Sequence, residues 1–272
     1  MNETFSFSRF GKYFLFDLKQ NWRRHSRPAL LIGCSGLIIY VVWVLFSLIF
    51  TQQWHGPLLP ARLVVFMLAF GILELYYCYL YGFVTDKRKG SSYLMIPAST
   101  TEKFVSLLLM ALIVIPLLFS VVYLALDGVL CLADKTCGAS LVGSMSDGYR
   151  QLLNVFGEMW DEGFPFTLSQ LVYPTVCGLF CNFLFFVLCG LCFKKYKIVG
   201  AIAVTFLISI LTTFLMGLFI NPISNYFAEL DPSAEQVTGL MRTILHWTNA
   251  ITTVATLALG AGIFFRLKTI KH

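Results

Sequence analysis

Charge is what this sequence has least of. Only 12% of its 272 residues are Asp, Glu, Lys or Arg, about half the roughly 25% of an ordinary soluble domain. Such a chain cannot keep its surface in water, and with 58% hydrophobic residues and 26 Phe it belongs with membrane proteins. One membrane domain and no separate soluble domain are expected.

Catalytic signatures are missing as well. The four histidines, His25, His55, His246 and His272, are scattered. Neither H-E-x-x-H nor G-x-S-x-G occurs, so no enzyme chemistry is expected. No G-x-x-x-x-G-K-[ST] is present to cradle a nucleotide phosphate. No metal site is expected: the C-x-x-C of Cys189–Cys192 lies inside an apolar run without a second ligand pair, where small packing residues are the better reading. The first apolar run is longer than a signal h-region and lacks a small-x-small cleavage site, so it reads as an uncleaved anchor. The basic residues sit around the ends of apolar runs rather than on one domain, which argues against nucleic acid.

What is there is a series of apolar runs. A spanning helix needs about 20 mostly apolar residues, at ~1.5 Å each across a core ~30 Å thick. Six segments qualify: Ala29–Phe50, Leu63–Val84, Phe104–Leu126, Leu171–Phe193, Ile198–Ile220 and Trp247–Phe265. The expected fold is therefore all-α: six spans over 29–272, preceded by an arm over 1–28. Pro116 should kink the third span. The Thr, Ala and Gly of the sixth favour packing against other helices over facing lipid.

Sixteen of the 20 basic residues fall in the arm, the second and fourth loops and the tail. The positive-inside rule then places those parts, and both termini, in the cytoplasm. The opposite side carries the longest loop, Asp127–Ser169, in which Tyr149–Glu162 reads as a short amphipathic helix capping the bundle.

In the arm, Phe7, Phe10, Phe14, Leu18 and Trp22 recur at three- and four-residue intervals and make one apolar stripe on a helix. With Lys12, Lys19, Arg23 and Arg24 around it, such a helix lies in the headgroup plane, as a topology anchor or as a contact for a cytoplasmic partner. In the second loop, Lys87, Arg88 and Lys89 hold the span end, Gly90–Ser92 break the chain, and Tyr93, Leu94, Met95 and Ile96 form an apolar cluster stopped by Pro97. That cluster suits either docking to a partner or dipping into the interface. Ser99 and Glu102 then form a capping box that starts the third span.

Glu74 is an ionisable residue well inside a span. A carboxylate there costs at least ~2.5 kcal/mol in lipid, so it should face the bundle, carry a proton or have a partner. It reads equally as a substrate- or subunit-facing group and as a structural hydrogen bond to Tyr76, Tyr77 or a neighbouring helix; Arg62 is too distant to pair with it. Cys131 and Cys137, in the outer loop, are a candidate disulfide, which an oxidising compartment permits.

The stretch YLMIPASTTEKF, Tyr93–Phe104, resembles the LMLPAS-x-x-EKF segment of bacterial ABC-2-type permease-like proteins. The arm FSFSRFGKYFLFDLKQNWR and the order of arm, two spans, inner loop and four spans are similar to that family as well. The resemblance implies a half-transporter of the bacterial inner membrane moving a substrate. Its Tyr93, Leu94, Met95 and Ile96 would contact a separate ABC ATPase that binds the ATP. A second membrane subunit, identical or different, would complete the pathway, and no cofactor would be held in this chain. The chain departs from the family in having its longer outer loop after the third span rather than the fifth. The rival reading is a non-transporting membrane scaffold, immunity factor or regulator.

Overall fold

The structure is a computed structural model and describes residues 5–86, 90, 93, 95–161, 168–230 and 234–270. Lys87, Arg88, Lys89, Ser91, Ser92 and Leu94 lie outside the described residues. Eight helices account for almost all of the rest, with no strand among the described residues. They are α1 (Phe7–Gly33), α2 (Ser35–Thr51), α3 (Leu59–Gly82), α4 (Thr100–Ala133), α5 (Leu141–Asp161), α6 (Leu168–Cys192), α7 (Lys197–Leu230) and α8 (Ala234–Thr269). Five are long and apolar enough to cross a membrane, and six spans result if the bent pair α1–α2 counts as one. The chain is thus an all-α, multi-pass membrane protein.

The first span differs from the expected single rod over Ala29–Phe50. Helix α1 runs from the arm through Pro28 to Gly33 without a stop, and the axis then turns by 48° into α2. The break is at Cys34, whose ψ of 1° leaves the helical region. Side chains on the two sides of the bend stay apolar, so the bend leaves no mark in hydropathy.

Pro116 acts one turn earlier than its position implies. Having no N–H to give to the preceding turn, it follows a π-helical turn, Met110–Val114, inside α4. The carbonyl of Ala111 in this turn accepts from the hydroxyl of Tyr77 on α3 at 2.8 Å. A wide turn of this kind exposes backbone acceptors that an α-helix keeps to itself.

Helix α3 sits at the centre. Its Leu73, Tyr77, Leu80 and Tyr81 are buried against Leu107, Ala111, Phe119 and Tyr123 of α4 and Phe183, Leu184, Val187 and Leu191 of α6. Phe66, Phe70, Phe119 and Tyr123 form an aromatic cluster with ring centroids 5.1 to 6.3 Å apart. Helices α3 and α6 touch closely at Gly190, where an added Cβ would lie 2.7 Å from the carbonyl oxygen of Cys78. Nearby, the Cys78 thiol donates to the carbonyl of Phe186 and Cys189 is buried.

The last two helices overrun the expected spans. At 34 and 36 residues they rise about 51 and 54 Å, well beyond a ~30 Å core. Hydropathy marks where lipid ends, whereas a helix continues as long as its backbone bonds are better made internally, here through Asn221–Leu230 and from Ala234 onward. The expected burial of α8 is met on one face only. Ile263 and Leu267 pack inward and Tyr173 of α6 meets Thr253, but Trp247, Ile251, Val254 and Leu257 are exposed. Thr248, Thr252, Thr253 and Thr256 each donate to a carbonyl four residues back. Such a hydroxyl is satisfied within its own helix and does not require a neighbour. Helix α7 is barer still: almost no side chain of Lys197–Leu215 is buried.

Candidate functional site

The basic ends of the elements meet at one end of the bundle, around the arm and the start of α4. Glu102, at the third position of α4, caps it with Ser99: the Ser99 N–H donates to Oε2 at 2.9 Å and the Glu102 N–H to Ser99 Oγ at 3.2 Å. The same carboxylate, fully buried, takes Arg9 of the arm. Arg9 donates through Nε to both oxygens at 2.9 and 2.8 Å and through Nη2 to Oε1 at 2.7 Å, and the Ser6 N–H adds a bond of 3.0 Å. One turn on, Ser106 donates to Asp17 Oδ2 at 2.6 Å and the Asn21 amide to Oδ1 at 3.1 Å.

Arg9, Tyr13, Asp17 and Asn21 are spaced by four residues, so they share a stripe on α1. This polar stripe, not the apolar one, faces the bundle. The spacing is visible in the sequence but is overlaid by the aromatic periodicity, and the capping role of Glu102 masked its role as the arm's ion-pair partner. Burial pushes the Asp17 carboxyl up; the bonds from Ser106 and Asn21 pull the other way, and the net shift is upward. Burial likewise pushes up the hydroxyls of Tyr13 and Tyr93, which are hydrogen-bonded to each other.

The aromatic stripe divides between two surroundings. Phe7 and Trp22 are exposed, while Phe10, Phe14 and Leu18 are partly buried. Phe10 and Phe14 stack at 6.0 Å. The second loop divides too. Tyr93 turns inward, against Tyr13 and Phe83, and its carbonyl accepts from Lys103 Nζ at 2.9 Å. Met95 is 81% exposed and Ile96 partly buried. Leu94, the remaining member of the cluster, lies outside the described residues. Lys197, at the start of α7, donates to the carbonyl of Gly82 and pairs with Asp86 at 2.9 Å, fixing a third element at this end.

At the opposite end a second polar network closes the bundle. Arg62 is buried and pairs with buried Asp127 at 2.8 Å. It also donates to the carbonyls of Cys137 and Ala139 at 2.9 and 2.7 Å. Asp127 Oδ2 accepts from the N–H of Leu141, the first residue of α5. Helix α5 therefore begins eight residues before the expected amphipathic stretch, and its described side chains past Leu141 are largely exposed. Asp134 accepts from Tyr40 at 2.7 Å, Trp54 at 2.9 Å and Thr136 at 2.7 Å, which ties α2 to the loop. Burial alone would push the Asp134 carboxyl up, but these bonds prevail and hold it well below the usual range. Sequence reasoning missed both carboxylates because an acid in an outer loop is ordinarily solvated.

Cys131 and Cys137 stand beside this network with both thiols free and within hydrogen-bond contact of each other. Arg62 Nη1 lies 2.7 Å from Cys131 Sγ. Glu74 is partly buried on α3 and makes neither a hydrogen bond nor an ion pair among the described residues. Tyr77, one of its expected partners, gives its hydroxyl to Ala111 instead. Among the described residues no three His, Cys, Asp or Glu side chains gather where they could hold a metal ion.

No family model matches the chain, and no curated protein or solved structure matches it.

Proposed function

We propose that the chain is the membrane subunit of an ABC-2-like transporter of the bacterial inner membrane, moved by a separate ATPase that binds at the arm end. The observation that carries this reading is the strapping of α1 onto the first turns of α4 through Arg9–Glu102 and Asp17–Ser106. Tyr93 is clamped in the same junction and Met95 projects from it. A partner that pushed on Met95 or on the arm would press on the base of α4, a 34-residue helix that reaches the Asp127 network at the far end. In this reading the arm end is cytoplasmic, ATP stays on the partner and the chain itself is not an enzyme. The bare wall of α7 takes lipid or a second membrane subunit.

The test places a photoreactive amino acid at Met95 and irradiates intact cells. A covalent adduct with a P-loop ATPase, lost when the probe is moved to the exposed Lys135 at the other end, is the expected result. Adducts with lipid alone, or none with an ATPase, would overturn the proposal and leave the scaffold or regulator reading in its place.

A further inference from the structure

A groove runs along α1 where that helix passes from the arm into the first span. Leu18, Asn21 and Trp22 wall its arm end, Met110 and Val114 of the π-helical turn wall its middle, and Gly33 lies at the far end of its α1 wall. The floor comes from α3. From Leu18 to Gly33 the groove follows 15 residues of helix, about 22 Å. Its far part, beside Ala29–Gly33, lies in the first apolar run, and its near part runs beside the basic arm.

Among the described residues its walls are apolar except near Asn21 and the polar ends of Trp22 and Tyr76. The groove is half open, and its volume of about 80 Å³ is far below the roughly 300–1,000 Å³ of pockets that engulf a compact ligand. A half-open slot this narrow and long takes one side of a single hydrocarbon chain lying along α1, with the other side of the chain and the remainder of the molecule outside.

The surface at the arm end indicates what that remainder is. Lys19 precedes Trp22 by one turn and Arg23 follows it. With Phe16 and Gln20 they border an open hollow on the exposed side of α1. Lys12 and Arg27 are exposed on the same helix, and none of these four cations enters an ion pair among the described residues. Long basic side chains reach along apolar surface to place their charge at the headgroup level.

We propose that the groove between α1, α3 and α4 is a binding site for one acyl chain of an anionic phospholipid, whose phosphate is drawn by Lys19 and Arg23. The site depends on the chain's being a membrane protein and not on the transporter reading. A bound chain would fill the space beside the π-helical turn and hold α1 against α4 over the stretch that the polar stripe does not reach.

Trp22 supplies the reporter. The full-length chain and its Trp22→Phe variant are reconstituted in phosphatidylcholine vesicles containing increasing fractions of brominated phosphatidylglycerol or brominated phosphatidylcholine. The difference between the two proteins isolates quenching at Trp22. Quenching by the anionic lipid is expected to saturate at a mole fraction lower by about fivefold for each participating cation. Ala29→Phe, which fills the groove from α1, should abolish the early saturation; if that variant misfolds by circular dichroism, Leu118→Phe fills it from α4. Lys19→Gln with Arg23→Gln should remove the lipid preference while quenching persists. Identical, unsaturating curves for both lipids, unchanged by filling the groove, would show ordinary boundary lipid and overturn the site.

Discussion

Two carboxylates at the same end of the molecule are held by different means, and each has its own signature. Asp127 neutralises Arg62 with both side chains less than a tenth exposed, so its removal strands a buried cation. Breaking a pair of this kind costs about 3–5 kcal/mol. Because the carbonyls of Cys137 and Ala139 still accept from Arg62, Asp127→Ala is expected at the lower end, roughly 3 kcal/mol, read as a loss of thermal stability in detergent. Asp134 instead depends on neutral donors that hold its folded-state pKa below the unfolded value. A depressed carboxylate adds stability that is present above the unfolded pKa, about 3.9, and is lost as pH falls through the folded value. Trp54 donates to this carboxylate, so its fluorescence, taken as the difference from Trp54→Phe, should be flat at neutral pH and change only once pH drops below about 4. Asp134→Asn should abolish that transition, and a transition near neutrality would contradict the assignment.

Between elements, close backbone approach matters more than any single side chain. Gly190 lets α6 lie against α3: a methyl group there would sit 2.7, 2.9 and 3.1 Å from backbone atoms of Cys78. Backbone cannot step aside as a flexible side chain can, so Gly190→Ala should cost about 1–3 kcal/mol as overpacking, whereas Gly71→Ala, with nothing within 4 Å, should leave melting unchanged. Gly190 was invisible to sequence reasoning because a glycine in an apolar run looks the same whether it faces lipid or a neighbouring helix. The apolar runs themselves were legible, since the cost of burying charge in lipid is large and local. So was the start of α4, since a capping box is contained in four residues, and the structure supplies both of its bonds. The bend at Cys34, the π-helical turn and the overrun of α7 and α8 were not, because backbone hydrogen bonding sets them and hydropathy does not record it. At the arm, the aromatic stripe stands out in the sequence and hides the polar one, although both follow from the same spacing: a helix at a lipid boundary has three faces, toward bilayer, water and protein.

At the scale of the whole molecule, connectivity through five or six spans gathers Arg9, Lys103, Lys197 and Arg266 at one end and the Arg62, Asp127 and Asp134 networks at the other. The proposed mechanism needs the first end inside, because the motor and its ATP are there. One native cysteine and one added cysteine offer a test. Cys192 ends α6 at the arm end and is exposed, next to Lys194 and Lys195. Asp147 is exposed on α5 at the opposite end. With an impermeant maleimide on cells whose outer barrier is open but whose inner membrane is intact, Asp147→Cys should label and Cys192 should not. Breaking the inner membrane should bring Cys192 up to the same extent. The reverse pattern would put the arm and Met95 outside, beyond the reach of any ATP-driven partner. The transporter reading would then fail, while the lipid groove would simply move to the other leaflet.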